Sequence, residues 1–176
     1  GTKAVVDEAK RLFPAASIHR FDTDTSKDEQ IENQLESLQD GKVDIIVGTQ
    51  MITKGLDLPR LSVVGILNAD ASLMIPDYSA NERTYQLLNQ VAGRVGRGHR
   101  AGTIILQTYD TANPLFKNAL TSNWEEFYTK ELSERKQFLF PPFVFLLKLW
   151  CLRATPAASE KTASQLAIKL TARYPH

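Results

Sequence analysis

The sequence predicts an α/β protein with a doubly wound parallel sheet, followed by a fragment of an α+β domain. Two observations lead to this fold class. Short apolar and β-branched runs alternate with segments whose apolar residues recur at helical spacing, and that alternation is typical of a parallel sheet covered on both faces. Residues 143–176 offer one apolar run and one helical segment, which cannot bury a core by themselves.

Four apolar runs are predicted strands because each is short and bounded by polar or glycine-containing stretches. They cover residues 17–21, 43–47, 62–67 and 103–108. Helices are predicted before, between and after them, at residues 3–13, 28–38, 81–91, 113–120 and 124–138. On the last of these, Trp124 and Tyr128 lie one helical turn apart, and we expect both in the core.

The predicted elements divide the chain into three parts. Residues 1–112 form the sheet-containing lobe, residues 113–142 a helical connector, and residues 143–176 the incomplete beginning of a further domain. That last part is predicted to hold a strand at 143–152 and a helix at 157–174. In open parallel sheets, ligands bind beyond the carboxyl ends of the strands, so the loops after residues 47 and 67 are expected to face a ligand.

Composition excludes several classes of protein. With 43% hydrophobic and 23% charged residues, the 176-residue chain is neither disordered nor collagen-like nor a coiled coil. The longest apolar run, 138–147, is broken by Pro141 and Pro142 and is shorter than the roughly 20 residues that a spanning helix needs, so we expect no membrane association. Cys151 is the single cysteine, which excludes an intrachain disulfide and a multi-cysteine zinc site.

Charge is distributed unevenly along the chain. Lysine and arginine number 21 against 20 aspartates and glutamates, for a net charge of +1. Between Arg83 and Gln107, however, four arginines and one histidine occur without any carboxylate. A local positive surface of this kind can bind phosphate even when the whole chain is almost neutral.

The most informative segment runs from Gln90 to Arg97 and reads QVAGRVGR. Arg94 and Arg97 stand three residues apart, each after a glycine, which predicts two guanidinium groups on one side of a tight turn whose backbone can approach another surface. Arginine in such a place can stabilise charge that develops on a transferred phosphate. The alternative is a basic turn that holds a carboxylate or a helix C-terminus.

A second segment, residues 48–59, reads GTQMITKGLDLP and directly follows a predicted strand. Its small and hydroxyl-bearing residues can offer N–H and O–H groups to a phosphate. Gly55 permits a turn, Asp57 can accept a hydrogen bond from a ribose hydroxyl or orient a water, and Lys54 can contact phosphate. The alternative is a plain turn leading into the next strand.

In their order and separation, these two segments resemble motifs V and VI of the superfamily 2 helicases. The intervening LNAD, IPDY and ERTYQLL stretches, beginning at Leu67, Ile75 and Glu82, resemble the replication-restart branch of that superfamily. The likeness extends to about Leu152. It implies that residues 1 to about 110 are the second RecA-like lobe of a 3′-to-5′ DNA helicase.

The resemblance also implies roles for individual residues. It implies that Arg94 and Arg97 are catalytic and reach the γ-phosphate of ATP, and that Gln90 helps to order the motif. Gly55 and Asp57 would line the nucleotide side of the cleft.

The resemblance places Gly93 on the nucleotide side of the cleft as well. It further implies that Thr49, Gln50 and Lys54 contact the DNA backbone.

Cofactors and partners follow from the same resemblance. ATP and Mg²⁺ would be bound mainly by a first lobe, because this sequence has no GxxxxGK[ST] phosphate loop, and the chain alone is not expected to hydrolyse ATP efficiently. Full-length family members bind zinc, but no metal site is assigned in this chain. The implied partners are single-stranded and forked DNA, the first helicase lobe, primosome proteins and single-strand-binding proteins, in the bacterial cytoplasm. A non-catalytic nucleic-acid or protein-binding module with a RecA-like fold is the alternative.

Overall fold

The computed structural model describes residues 1–21, 42–49, 58, 60–95 and 102–174. It divides into two compact units, Gly1–Glu134 and Arg135–His176. Among the described residues of the first unit, four strands are present: β1 (Ile18–Phe21), β2 (Ile45–Gly48), β3 (Val63–Ile66) and β4 (Thr103–Leu106). β1, β3 and β4 lie inside their predicted runs, and β2 extends one residue past the carboxyl end of its run, so the four predicted strands are confirmed.

The strands pair in parallel, as the alternation of strands and helices predicts. β1 pairs with β2, with Ile18 opposite Ile45, and β3 pairs with β4, with Val63 opposite Thr103. Within the described part of the chain, these are two separate two-stranded sheets. Parallel pairing is therefore confirmed, whereas a single doubly wound sheet stays a prediction.

Within the described part of the chain, four α-helices belong wholly or mainly to the first unit: α1 (Thr2–Leu12), α2 (Ala80–Ala92), α3 (Pro114–Leu120) and α4 (Trp124–Gln137). A short 3-10 helix, Ala69–Ser72, follows β3. α3 begins where its sequence predicts, because Asn113 Oδ1 accepts a hydrogen bond from the Leu115 N–H at 3.1 Å and Pro114 occupies the first turn. The predicted helix at 28–38 lies outside the described residues.

The core of the first unit joins α2 to α3 and α4. Tyr85 and Leu88 of α2 pack with Phe116 of α3 and Phe127 of α4, together with Ala69, Leu115 and Ala119. The rings of Tyr85 and Phe127 are stacked, with centroids 4.2 Å apart and planes 14° apart. Residues of the predicted connector thus share a core with residues of the predicted lobe.

The expectation that Trp124 and Tyr128 are core residues is wrong. Their side chains are 59% and 42% exposed, whereas Phe127 between them is 6% exposed. The buried stripe of α4 passes through Phe127 and Glu131, which are four residues apart and lie on the same face. Two aromatic residues at helical spacing therefore flank the buried face here.

In the second unit, the predicted helix is confirmed as α5 (Pro156–Arg173), and Thr155 Oγ1 accepts a hydrogen bond from the Ala158 N–H at 3.3 Å at its start. The strand predicted at 143–152 is absent, and those residues have no helix or strand. A strand exists only where another strand accepts and donates its backbone hydrogen bonds, and the described residues provide none there. No residue of α5 is buried. Among the described helices, none has the length and apolar character to span a membrane.

Candidate functional site

Helix α2 positions the candidate site, and its beginning is fixed by polar contacts. Asp77 Oδ1 accepts hydrogen bonds from the Ser79 N–H at 2.8 Å and from the Ser79 hydroxyl at 2.6 Å. Arg83 then donates to Asp77 Oδ2 at 3.2 Å from the first turn of the helix. The hydrogen bonds from Ser79, with the positive charge of Arg83 as a further cause, lower the pKa of the Asp77 carboxyl.

The sequence of α2 fixes which of its faces is buried. Thr84, Tyr85, Leu88 and Val91 recur at intervals of one, three and three residues and are all buried. The Thr84 hydroxyl is satisfied by donating to the Ala80 carbonyl at 2.8 Å. Because this face is held by the core, Gln90 is directed to solvent, and the helix end is placed at a defined position.

Helix α2 ends in a tight turn at Gly93. The Gly93 N–H donates to the Asn89 carbonyl at 2.9 Å, and the Arg94 N–H donates to the Val91 carbonyl at 3.0 Å. Gly93 has a right-handed conformation with φ −67° and ψ −8°. A Cβ atom there would meet the Asn89 carbonyl at 3.5 Å and the Gln90 carbonyl at 3.8 Å, which are ordinary contacts. The turn itself therefore does not require a glycine.

Arg94 and Thr49 line the same cavity, which has a volume of about 440 Å³. Thr49 directly follows β2 and is exposed, whereas Arg94 follows α2 and is half-buried. The remaining walls come from α1, from the carboxyl end of β2, from β3 and from the apolar stripe of α2. Two predicted site residues from separate sequence motifs are thus brought to one cavity.

The cavity combines mainly apolar walls with one cationic side chain and two hydroxyl groups. Its volume falls in the range of about 300–1,000 Å³ that is usual for small-molecule sites. Arg94 is the only charged side chain among the described lining residues, and the other polar side chains are the hydroxyls of Thr2 and Thr49. One guanidinium can hold two oxygens of a phosphate group, but a triphosphate carries more charge than a single arginine neutralises.

The other predicted site residues stand apart from this cavity or outside the description. Gln90 and Gly93 lie on the last turn of α2 and just after it, next to Arg94 in sequence, but they do not line the cavity. The structure gives no geometry for five predicted residues, which lie outside the described part of the chain: Gln50, Lys54, Gly55, Asp57 and Arg97. No group of three or more metal-ligating side chains occurs among the described residues.

Asp70 has a structural role that its sequence context did not reveal. It is buried, and its carboxylate accepts a hydrogen bond from the Thr108 hydroxyl at 2.8 Å and another from the Tyr109 N–H at 3.0 Å. Asn68 has a φ of 51°, a left-handed conformation that asparagine tolerates, and its N–H donates to Gln107 Oε1 at 3.2 Å. These contacts join the chain after β3 to the chain after β4.

Comparison with known proteins places this architecture in a family context. Residues 2–99 match the helicase conserved C-terminal domain. The chain is 39% identical over 168 residues to the replication restart protein PriA of Bacillus subtilis, covering 95% of this chain and 21% of that protein. It is 38% identical over 175 residues to PriA of Treponema pallidum, covering 99% of this chain and 27% of that protein. For PriA of Thermotoga maritima the identity is 35% over 167 residues, with 94% and 23% covered. The chain thus spans about a quarter or less of the length of these relatives.

Proposed function

Because the chain belongs to the helicase conserved C-terminal domain family, we propose that it is the second motor lobe of an ATP-dependent DNA helicase that acts in replication restart. The observation that carries this proposal is the position of Arg94 and Thr49 on one cavity. Arg94 follows helix α2, which ends within the QVAGR sequence, and Thr49 follows a parallel strand at the edge where ligands bind in α/β proteins.

In the proposed mechanism, Arg94 contacts the γ-phosphate of ATP that is bound mainly by a first lobe. A cationic group placed there stabilises the charge that spreads over the transferred phosphate oxygens. Arg97 is proposed as a second such group, Gln90 as a residue that orders the turn, and Gly93 as a point of close approach. Gly55 and Asp57 complete the proposed nucleotide-facing set.

The polar groups of the large cavity agree with an ATP site that is shared between two lobes. Mg²⁺ prefers oxygen ligands and is usually held by one or two carboxylates together with phosphate oxygens. No carboxylate is present among the described residues that line the cavity, and the metal ligands are proposed to come mainly from the first lobe. The guanidinium and hydroxyl groups that are present fit phosphate oxygens. This lobe alone is therefore proposed to lack efficient ATP hydrolysis.

Coupling to DNA is proposed to run through Thr49. This residue is exposed at the end of β2 and is followed by Gln50, with Lys54 close in sequence, so three groups that bind phosphate oxygens occur in succession. ATP binding would draw the two lobes together, and hydrolysis would release them, so that the helicase moves along single-stranded DNA in the 3′-to-5′ direction. Forked DNA, primosome proteins and single-strand-binding proteins are the proposed partners, in the bacterial cytoplasm.

The proposal is tested by Arg94→Ala in the intact protein, with Arg83→Ala as the matched control. Arg83 is an exposed arginine on the same helix that pairs with Asp77 near the opposite end. We expect Arg94→Ala to lower the kcat of DNA-stimulated ATP hydrolysis by about 10³-fold, the size typical of arginines that stabilise phosphoryl transfer, and to leave the Kd for single-stranded DNA nearly unchanged. Arg83→Ala is expected to change neither.

Two results would contradict the motor-lobe assignment. Equal losses of turnover and of DNA affinity would make Arg94 a residue of the fold or of the DNA interface. Unchanged turnover, with salt-dependent DNA binding retained, would favour the alternative of a non-catalytic nucleic-acid or protein-binding module.

A further inference from the structure

Side-chain hydrogen bonds join α2 to other helices of the first unit near both of its ends. Near the amino end, Asn81 Nδ2 donates to Glu131 Oε2 of α4 at 3.3 Å. Both residues border a small cavity of about 120 Å³, whose lining also includes the amides of Asn113 and Asn118. This contact helps to fix the beginning of the helix, at the opposite end from Arg94.

The carboxyl end of α2 is tied to the turn between α3 and α4. The Ser122 hydroxyl donates a hydrogen bond to Asn89 Oδ1 at 2.8 Å, across 33 positions of the chain. Asn89 belongs to the last turn of the helix, and its main-chain carbonyl accepts the Gly93 N–H at 2.9 Å. Asn89 therefore connects the turn between α3 and α4, through its side chain, with the backbone that leads into Arg94, through its carbonyl.

The turn that carries Ser122 is held by its own backbone. The Asn123 N–H donates to the Asn118 carbonyl at 2.8 Å, and the Thr121 N–H donates to the Lys117 carbonyl at 3.0 Å. These bonds satisfy carbonyl groups at the carboxyl end of α3, which otherwise lack helical partners. Neither bond involves the Ser122 side chain, so we expect the turn to keep its shape without that hydroxyl.

Ser122 has a backbone conformation that serine does not favour. Its φ of 56° lies in the left-handed region, at the second residue after α3. Glycine is the usual residue at this position, because it has no Cβ atom. The local backbone therefore does not explain the serine, whereas its hydroxyl has a hydrogen-bond acceptor on α2. Unfavourable conformations of this kind concentrate at functional sites.

Asn89 lies on the side of α2 that faces away from the large cavity. Leu87 and Val91 line that cavity, and each is two positions from Asn89, which corresponds to about 200° around the helix. The contact with Ser122 thus supports the last turn from behind. Helix ends fray, because their last carbonyl groups lack intrahelical partners. A support at this point restricts the direction in which Arg94 leaves the helix.

We propose that Asn89 and Ser122 are positioning residues for Arg94. This inference rests on the proposed function, in which Arg94 contacts the γ-phosphate. The contact keeps the last turn of α2 in one orientation, and without it the turn samples orientations in which the guanidinium is misaligned. Small misplacements of a catalytic group lower the rate of the chemical step, so the loss falls on kcat and not on KM.

Two variants of the intact protein test this contact, Ser122→Gly and Asn89→Ala. Each removes one partner and introduces a residue that the backbone favours there, glycine in the left-handed region and alanine within a helix. We expect each variant to lower the kcat of DNA-stimulated ATP hydrolysis by about fivefold or more. The KM for ATP and the Kd for single-stranded DNA are expected to change by less than about twofold.

The matched controls remove polar groups beside the contact. The Thr121 hydroxyl donates to the Lys117 carbonyl at 2.9 Å within its own helix, and Gln86 Nε2 donates to Glu82 Oε1 at 3.0 Å on the exposed side of α2. Neither group connects α2 with the following turn. Thr121→Ala and Gln86→Ala are therefore expected to change kcat by less than about twofold.

Double variants show whether the two side chains act together and through Arg94. Ser122→Gly combined with Asn89→Ala is expected to lose no more activity than either variant alone, whereas independent effects would multiply to about 25-fold. In an Arg94→Ala background, Ser122→Gly is expected to cause less than about twofold further loss, because the side chain that it positions is absent.

Four results would overturn the positioning role. They are an unchanged kcat in either single variant, multiplicative losses in the double variant, a further loss in the Arg94→Ala background, and a circular dichroism spectrum that shows either single variant to be unfolded. If Arg94→Ala lowers turnover but Ser122→Gly and Asn89→Ala do not, this inference fails and the proposed function stands. If Arg94→Ala itself leaves turnover unchanged, both fail.

Discussion

The two ends of α2 lie at cavities of opposite character. At the carboxyl end, the large cavity has apolar walls and Arg94 as its charged group, and at the amino end the small cavity contains Glu131 and three amides. The cavity at the carboxyl end is marked by a short local motif, in which a glycine and then an arginine directly follow a helix. The second is assembled from residues of three helices that have no common motif. One helix therefore connects a candidate site that sequence patterns indicate with a cavity that only packing creates.

The largest expected effect comes from Leu88, because it connects the two ends. Leu88 is almost fully buried, belongs to the core with Phe116 and Phe127, and also lines the large cavity. We expect Leu88→Ala to lower the free energy of unfolding by about 2–5 kcal/mol, through lost burial and the space left behind. Urea unfolding of the chain measures this, and Leu87→Ala, at a half-buried neighbour, is the matched control with a smaller loss. If both variants unfold alike, the two ends do not depend on the packing of Leu88.

Gly93→Ala distinguishes a role of Gly93 in folding from a role in the candidate site at the carboxyl end of α2. Alanine fits the right-handed conformation of Gly93 and meets only ordinary contacts, so the free energy of unfolding is expected to change by less than about 1 kcal/mol. If ATP approaches this backbone in the intact protein, the added methyl group should lower ATP turnover about tenfold or more. Unchanged turnover in a folded variant would show that Gly93 does not face the nucleotide.

Tyr85→Phe tests whether the buried Tyr85 hydroxyl on α2 destabilises the fold. The Tyr85 hydroxyl is buried and has no hydrogen-bond partner within the described part of the chain, and burial raises its pKa. Removing it should raise the free energy of unfolding by about 1 kcal/mol, since an unsatisfied buried hydroxyl is destabilising, while the stacking on Phe127 remains. Thermal unfolding measures the change. A lower Tm for Tyr85→Phe would contradict the reading that this hydroxyl lacks a partner.

The smallest effect is expected at Asp77, before the first turn of α2. Its pKa is lowered in the folded state, so the carboxylate stabilises the fold at pH values above its ordinary pKa, and this contribution is lost as the pH falls through the lowered value. Asp77→Asn should therefore be less stable than the unchanged chain at neutral pH, and the difference should shrink in acid. Unfolding curves at several pH values measure this, and a difference independent of pH would show that the charge does not contribute.

The sequence by itself determined the local elements and the family. Hydrophobic periodicity predicted the four strands and the helices α1 to α5 because the segments concerned are short, strongly patterned and bounded by proline, glycine or capping residues. The order and separation of the two motifs at residues 48–59 and 90–97 predicted the helicase family that residues 2–99 match. Such features depend on neighbours in sequence, and those are visible without a structure.

Tertiary structure alone decided which faces are buried and which residues meet. Periodicity indicated Trp124 and Tyr128 for the core, but the contact with Tyr85 selected Phe127 instead. It also predicted a strand at 143–152, which is absent because a strand depends on hydrogen bonds from a second strand that local sequence cannot supply. Glu131 looks like any surface glutamate in its sequence. Its burial arises because α2, α3 and α4 converge, and that convergence depends on contacts between residues far apart in the chain.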